Sequence, residues 1–184
     1  MKSIYSCILS FAATCYTLWY MHFDRPWTND GALSTIGLEH RGLFAVWGII
    51  TLSALGFALF IAYRSVKKTK LLIPLFLLSS LGMALTLIFR FQNGLKPDFY
   101  LHCAGSLTFS AVTGVAVFLI FIMKKRKSFA VITASILIID LIFLIICKET
   151  GLIETVPIFA GYILLGIENV RSERLEASRK AEIA

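Results

Sequence analysis

Long apolar stretches separated by short polar connections make up most of the chain. Six of these stretches are predicted to be membrane-crossing helices: residues 4–21, 42–63, 71–89, 99–123, 129–147 and 152–170. Most are longer than about 17 residues and carry few charges, so each can cross roughly 30 Å of hydrocarbon. Backbone amides find no hydrogen-bond partner in lipid, which favours helices in such stretches. The pattern predicts an all-α fold, a polytopic bundle of six transmembrane helices.

Composition supports the same conclusion. Of the 184 residues, 58% are hydrophobic and 16% are charged, and the mean hydropathy is +0.80. A soluble domain carries about a quarter charged residues, so lipid is the expected solvent. Six spans account for nearly the whole length. We therefore expect one transmembrane domain over residues 1–184, in which residues 171–184 form a cytoplasmic helical tail.

Positive charge is concentrated near both termini and in the connections after the second and fourth spans. Thirteen of the 18 Lys and Arg residues lie there: Lys2, Arg64, Lys67, Lys68, Lys70, Lys124, Lys125, Arg126, Lys127, Arg171, Arg174, Arg179 and Lys180. By the positive-inside rule, this predicts that both termini are cytoplasmic. We call this end of the bundle the inner end and the opposite end the outer end. The clustering explains the net charge of +7 without a nucleic-acid partner, and the short loops favour a bacterial cytoplasmic membrane.

The stretch "KPDFYLHCAGSLTFS" places polar side chains four residues apart at the outer start of the fourth span. Asp98, His102 and Ser106 fall on one face of a helix, because successive i, i+4 positions rotate by only about 40°. Ser110 and Gly114 continue the row. One interpretation is a polar wall that descends into a ligand pocket. The other is that the small residues allow close helix packing, with Asp98 and His102 at the wet interface.

Asp140 is the most unusual polar residue, because it lies about 12 Å inside the outer end of the fifth span. An ionised carboxylate there costs several kcal/mol unless it is paired or hydrated, so an intramembrane acid indicates a functional site. Ser106 and Tyr162 lie at similar depth and can donate hydrogen bonds to a protonated Asp140. An ionised Asp140 would need Arg90 or His102 as its partner. We predict Asp140 as the central residue of the site.

Two features of the outer end surround this site. Glu154 stands in the first turn of the sixth span, before Pro157, where the helix dipole stabilises a carboxylate. The first outer connection, residues 22–42, is longer than usual and contains the turn sequence "NDG". Two interpretations of it stay open: a folded cap over the helix ends, or a flexible loop.

A metal site is an alternative. All three histidines lie toward the outer end with two aspartates nearby: His22, His40, His102, Asp24 and Asp98. Zinc accepts three histidines and a water, which would make an outward-facing, metal-dependent membrane hydrolase acting on lipid. The chain lacks the paired HxxxH motif that the membrane ceramidases carry, so we predict no metal.

No other catalytic chemistry is indicated. Ser106 follows His102 by four residues, but the chain has no GxSxG elbow, phosphate-binding glycine loop or haem motif. The four cysteines lie in apolar segments without CxxC spacing, and we expect them to behave as small hydrophobic residues. A Cys103–Cys147 disulfide stays open. We therefore predict no catalytic residue and no cofactor.

Two short motifs, "LHCAGSLTFS" opening the fourth span and "ETVPIFAGYILL" opening the sixth, accompany a polar first outer loop and six spans. Together they resemble the DRAM-like membrane proteins and related bacterial six-span families, although the first loop lacks the cysteine pattern of the eukaryotic members. The resemblance implies lipid handling or a regulatory role in a membrane. It aligns only His102 and Glu154, and it transfers no catalytic residue.

The sequence favours a non-enzymatic membrane protein with an outward-facing polar pocket. The expected ligand is a lipid or small amphiphile, in a transport, immunity or sensor role. Its predicted ligand-binding residues are Asp140, His102, Arg90, Asp98, Ser106, Tyr162 and Glu154. In this hypothesis Asp140 and His102 form the floor and wall of the pocket, and Arg90 contacts an anionic head group. A third hypothesis is a structural subunit of a membrane complex, and a homo-oligomer stays open as well.

Overall fold

The computed structural model describes residues 2–92 and 96–183, without the side chains of Cys147 and Ile183. Within these residues the chain is all-helical. The helices are α1 (Lys2–Met21), α2 (Leu33–Glu39), α3 (Arg41–Ser65), α4 (Thr69–Ile88), α5 (Lys96–Met123), α6 (Lys127–Cys147) and α7 (Gly151–Ile183). Every helix except α2 is long and apolar enough to cross a membrane, which supports a multi-pass membrane protein. The six predicted spans coincide with these helices to within a few residues at most ends. The last helix continues past residue 170 to Ile183.

The first and last helices meet at the inner end. The backbone N–H of Ser3 donates to a carboxylate oxygen of Glu173, with 3.1 Å between the two atoms. Because six successive spans alternate in direction, the basic α3–α4 and α5–α6 connections lie at this end too. The membrane face that this end meets stays the prediction made from the distribution of charge.

Helix α3 is the centre of the bundle and packs against α1, α2, α4 and α7. Side chains tie these helices together by hydrogen bonds that replace the missing water. The Trp47 indole donates to the Thr17 hydroxyl at 3.2 Å, and the Tyr63 hydroxyl donates to the carbonyl of Ala116 on α5 at 2.9 Å. The polar groups of Trp47 and Tyr63 are therefore buried in this core with hydrogen-bond partners.

Helices α4 and α5 approach most closely where two glycines face each other. A Cβ on Gly105 would lie 2.6 Å from the carbonyl oxygen of Gly82, so neither position accommodates a side chain. A Ser79–Thr113 hydrogen bond of 2.6 Å joins the same two helices. Close packing along the Ser106 row was one of two interpretations. The contact with α4 lies at Gly105, about 100° around the helix, whereas a Cβ on Gly114 of that row would lie 2.7 Å from the Leu137 side chain of α6.

The first outer connection is folded, and it contains a helix that the sequence did not predict. Ala32 and Leu33 are fully buried at the start of α2. The Tyr20 hydroxyl donates to the carbonyl of Leu33, and the N–H of Leu152 donates to the carbonyl of Pro26. The connection is therefore folded against the ends of the helices, as in the first of the two interpretations.

Candidate functional site

A pocket of about 670 Å³ opens at the outer end of the bundle, which we call the outer pocket. It lies between the folded first connection, α2, the segment after α4, α5 and the outer end of α6. Its lining residues are Asn29, Asp30, Thr35, Leu38, Phe91, Gln92, Phe99, Cys103, Leu144, Lys148 and Glu149. The volume falls within the range of small-molecule sites, roughly 300–1,000 Å³.

The lining of the outer pocket is amphipathic. The rings of Phe91 and Phe99 lie 5.2 Å apart between their centroids and form an apolar wall. Charged groups come from Asp30, Lys148 and Glu149. Cys103 contributes a free thiol, whereas the Cys147 side chain lies outside the described residues. A wall of rings beside fixed charges is the surface that an amphiphile requires.

Glu149 is the lining residue whose bonding is incomplete. Its Oε2 atom is buried and has no hydrogen-bond partner in the described part of the chain. Burial raises the pKa of the Glu149 carboxyl above its ordinary value, because desolvation disfavours the charged form. A buried carboxylate oxygen without a donor is costly, so this atom calls for a hydrogen-bond donor that the described residues do not supply.

The backbone next to Glu149 is strained. Lys148 ends α6 with φ 60° and ψ −168°, a conformation adopted essentially only by glycine. Such strain costs about 1–3 kcal/mol and concentrates at functional sites. The strained residue and the unpaired carboxylate oxygen are neighbours in sequence, and both residues line the outer pocket.

Glu154 lies in the first turn of α7, as predicted, but its carboxylate bonds a different helix. It accepts hydrogen bonds from the backbone N–H of Leu33 and the hydroxyl of Ser34, at the start of α2. The start of α7 is capped instead by Thr150, whose hydroxyl accepts from the N–H of Ile153 at 3.3 Å. Glu154 therefore holds the folded cap onto the bundle.

Beneath the cap lies an internal cavity of about 50 Å³ between α3, α5, α6 and α7. Its polar lining groups are Ser110, Thr113, Thr133 and Glu154. Such a cavity has room for a few water molecules, which need polar partners of this kind. Ser110 and Gly114 of the predicted polar row line this cavity, whose other lining residues are mostly apolar.

His102 is buried between aromatic rings, and its placement at a wet interface is wrong. Its side chain is 1% exposed, and its Nδ1 lies 3.1 Å from the carbonyl oxygen of Phe89. The rings of Phe91 and Phe44 lie 5.2 and 6.2 Å from it between centroids. Its Nε2 has no partner among the described residues. The imidazole thus packs behind Phe91, which itself lines the outer pocket.

Asp140 is half-buried on α6 and has neither a hydrogen bond nor an ion pair in the described residues. Arg90 is exposed, Asp98 and Ser106 are half-buried, and Tyr162 is buried. Within the described chain, no hydrogen bond or ion pair joins any two of the seven predicted residues. The ligand-binding roles assigned to them stay predictions.

A buried group of charges at the inner end, which we call the inner ion cluster, was not predicted from the sequence. The Glu168 carboxylate, 1% exposed, lies 3.2 Å from Lys124 Nζ and 3.0 Å from Arg126 Nε. The Ser172 hydroxyl donates to it at 3.1 Å. Burial lowers the pKa of Lys124, and the Glu168 carboxylate opposes that shift. The sequence signal that could have predicted this cluster is the polar pair Glu168–Asn169, next to an apolar stretch.

The side chains named in the metal alternative are not brought together among the described residues. Within residues 2–92 and 96–183, no three His, Cys, Asp or Glu side chains are grouped so that they could hold a metal ion. His22 is exposed, and the ring of His40 packs 4.7 Å from that of Phe23. The three histidines therefore have separate surroundings.

No protein-family model matches this chain, and no curated protein or solved structure is significantly similar to it. The resemblance to the DRAM-like proteins stays a prediction.

Proposed function

We propose that the outer pocket binds a small amphiphile with a positively charged or hydrogen-bond-donating group, at the outer face of a bacterial cytoplasmic membrane. The observation that carries this proposal is the buried, unpaired Oε2 atom of Glu149 in a pocket of about 670 Å³. A ligand donor at that atom would supply the hydrogen bond that the described residues lack. Binding of this kind is the step that transport, immunity and sensor roles share.

The charges of the pocket favour a cationic group. Asp30 and Glu149 are acidic, whereas Lys148 is its basic lining residue. Lys148 is exposed, so water screens its charge more strongly than that of the partly buried Glu149. A cation near Phe91 or Phe99 would also gain from the ring faces, by about 0.5–2 kcal/mol. The apolar part of the ligand would lie against the same rings and Leu144.

The folded first connection determines how the ligand is held. Asn29 and Asp30 come from the turn before α2, and Thr35 and Leu38 from α2 itself. This wall is fixed to the bundle by the bonds from Glu154 to the start of α2. The pocket therefore needs little ordering on binding, which favours affinity.

Two water-soluble probes with the same carbon chain test the proposal: hexylamine and 1-hexanol. We expect hexylamine to raise the melting temperature of the purified protein in detergent at concentrations where hexanol has little effect. Glu149→Gln removes the negative charge with little change in size. It should weaken hexylamine binding roughly 10-fold or more, because hydrogen bonds to charged groups contribute about 1.5–3 kcal/mol.

The matched control is Glu39→Gln, which removes an exposed acid of α2 that does not line the pocket. It should leave the preference for hexylamine intact. Equal responses to both probes, or an amine preference that survives Glu149→Gln, would refute the proposal.

A further inference from the structure

A second open space lies at the opposite end of the molecule, between α1 and α7. This α1–α7 groove encloses about 870 Å³ and faces the surroundings of the bundle. Small or apolar side chains line most of it, including Cys7, Phe11, Ile163 and Gly166. At its inner end the lining changes to two arginines, Arg171 and Arg174.

The apolar part of the groove has the length of one leaflet. Along α7 it extends from Phe159 to Val170, which is about 16 Å at 1.5 Å per residue. Half of the hydrocarbon core of a bilayer is about 15 Å thick. The two arginines follow within the next turn, at the depth where the phosphates of the inner leaflet lie if the inner end is cytoplasmic.

The arginines are available to a ligand. Both are exposed, and neither has a hydrogen bond or ion pair within the described residues. The lining contains no carboxylate that could neutralise them. Glu173, which stands between them in the sequence, bonds Ser3 instead. Paired guanidinium groups are suited to phosphate, because each presents a planar fork of donors.

We infer that the α1–α7 groove holds an anionic phospholipid of the inner leaflet, with an acyl chain along the groove and its phosphate between Arg171 and Arg174. Basic pockets between transmembrane helices on the cytoplasmic side are typical sites for anionic head groups. The inference concerns a different site from the outer pocket and does not depend on the ligand proposed there.

Native mass spectrometry of the full chain in detergent tests this inference. The probes are dioleoylphosphatidylglycerol and dioleoylphosphatidylcholine, which share their acyl chains and differ in net head-group charge. We expect one phosphatidylglycerol adduct to be retained in preference to phosphatidylcholine. Arg171→Gln with Arg174→Gln should weaken phosphatidylglycerol binding by a factor on the order of 30, from about 1 kcal/mol per basic residue.

The matched control is Arg179→Gln with Lys180→Gln, which removes the same charge from α7 beyond the groove. It should leave the adduct unchanged. A phosphatidylglycerol adduct that is lost equally in both double variants, or that survives in both, would overturn the inference.

A second pair of variants tests the apolar part of the groove. Gly166→Phe should fill the groove and remove the adduct. Gly166→Ala should retain it, because the added methyl group would meet Cys7 Sγ at an ordinary 3.7 Å. The wild-type chain could instead prove to be a dimer that Gly166→Phe dissociates, with lipid adducts that are unchanged when the arginines are replaced. In that case a second copy occupies the groove and the inference is wrong. Should Gly166→Phe fail to fold, the arginine variants decide alone.

Discussion

Glu168 in the inner ion cluster and Glu149 in the outer pocket both have carboxylate oxygens buried from water, but their surroundings differ. In the inner ion cluster, Glu168 receives two cations and a hydroxyl within 3.2 Å. In the outer pocket, the buried Oε2 atom of Glu149 has no hydrogen-bond partner among the described residues. Both carboxylates lose hydrogen bonds to water on burial, but only the Glu168 carboxylate has them replaced by protein groups.

This contrast separates a structural acid from a candidate functional one. A buried ion pair contributes little net stability, but breaking it is strongly destabilising because the remaining charge stays buried. An unpaired buried carboxylate destabilises the folded state already, and a ligand can recover that free energy. Removing each carboxylate should therefore change the free energy of unfolding in opposite directions.

The largest effect is expected at the inner end. Glu168→Ala leaves Lys124, whose side chain is 6% exposed, without its carboxylate. We expect the free energy of unfolding to fall by about 3 kcal/mol or more, the usual loss when one partner of a buried pair is removed. Thermal unfolding in detergent measures it. Glu182→Ala, at an exposed position of the same helix, should change stability by less than about 0.5 kcal/mol. Equal stability of Glu168→Ala and wild type would mean that the cluster is open to water.

An intermediate effect is expected at Glu154. Glu154→Ala removes the acceptor of the Leu33 N–H and the Ser34 hydroxyl, so we expect a loss of about 2 kcal/mol. The folded cap should loosen first, so the backbone amides of α2 should exchange their hydrogens with deuterated solvent faster than in wild type. Glu39→Ala, at the exposed end of α2, is the control and should exchange no faster than wild type. If exchange in α2 is unchanged in Glu154→Ala, then other contacts hold the cap.

The smallest effect, of opposite sign, is expected at Glu149. Its pKa is raised in the folded state, so the stability linked to its protonation is present below the ordinary glutamate pKa. That stability is lost as pH rises through the raised pKa. Glu149→Gln should therefore raise the melting temperature at pH 7.5 and match wild type near pH 4. Melting curves of both proteins at the two pH values give this difference. A lower melting temperature of the variant at pH 7.5 would mean that the carboxylate is already compensated.

Hydrophobic pattern alone was sufficient for the six long helices. Their starts and ends follow from charges and turn residues that lipid does not tolerate, as at Lys68 and Arg126, which precede α4 and α6. Helix α2 was not predictable in this way. It has only seven residues, and its stability comes from burial of Leu33 and Ile36 and from the bonds to Glu154, 120 positions away from Ser34.

The ligand pocket expected at the outer end under the first connection stays a prediction. The structure has a pocket of mixed apolar and charged lining at that end. The residues differ, because sequence spacing orders side chains within one helix but not between helices. Asp140 was selected because of its predicted depth in the membrane. Glu149 lies in a connection, and its sequence position does not indicate that one of its carboxylate oxygens is buried. Glu168 was overlooked because its cations come from the α5–α6 connection.

The sequence by itself determined that the chain is an all-helical bundle with six apolar helices, since each such stretch must satisfy its own backbone away from water. Only the tertiary structure decided which buried carboxylates have hydrogen-bond donors or cations in place of water. That outcome depends on distances between side chains far apart in the sequence, such as Glu154 and Ser34 or Glu168 and Lys124. Electrostatic free energy in a dry interior varies steeply over a few ångströms, and helical periodicity carries no information at that scale between helices.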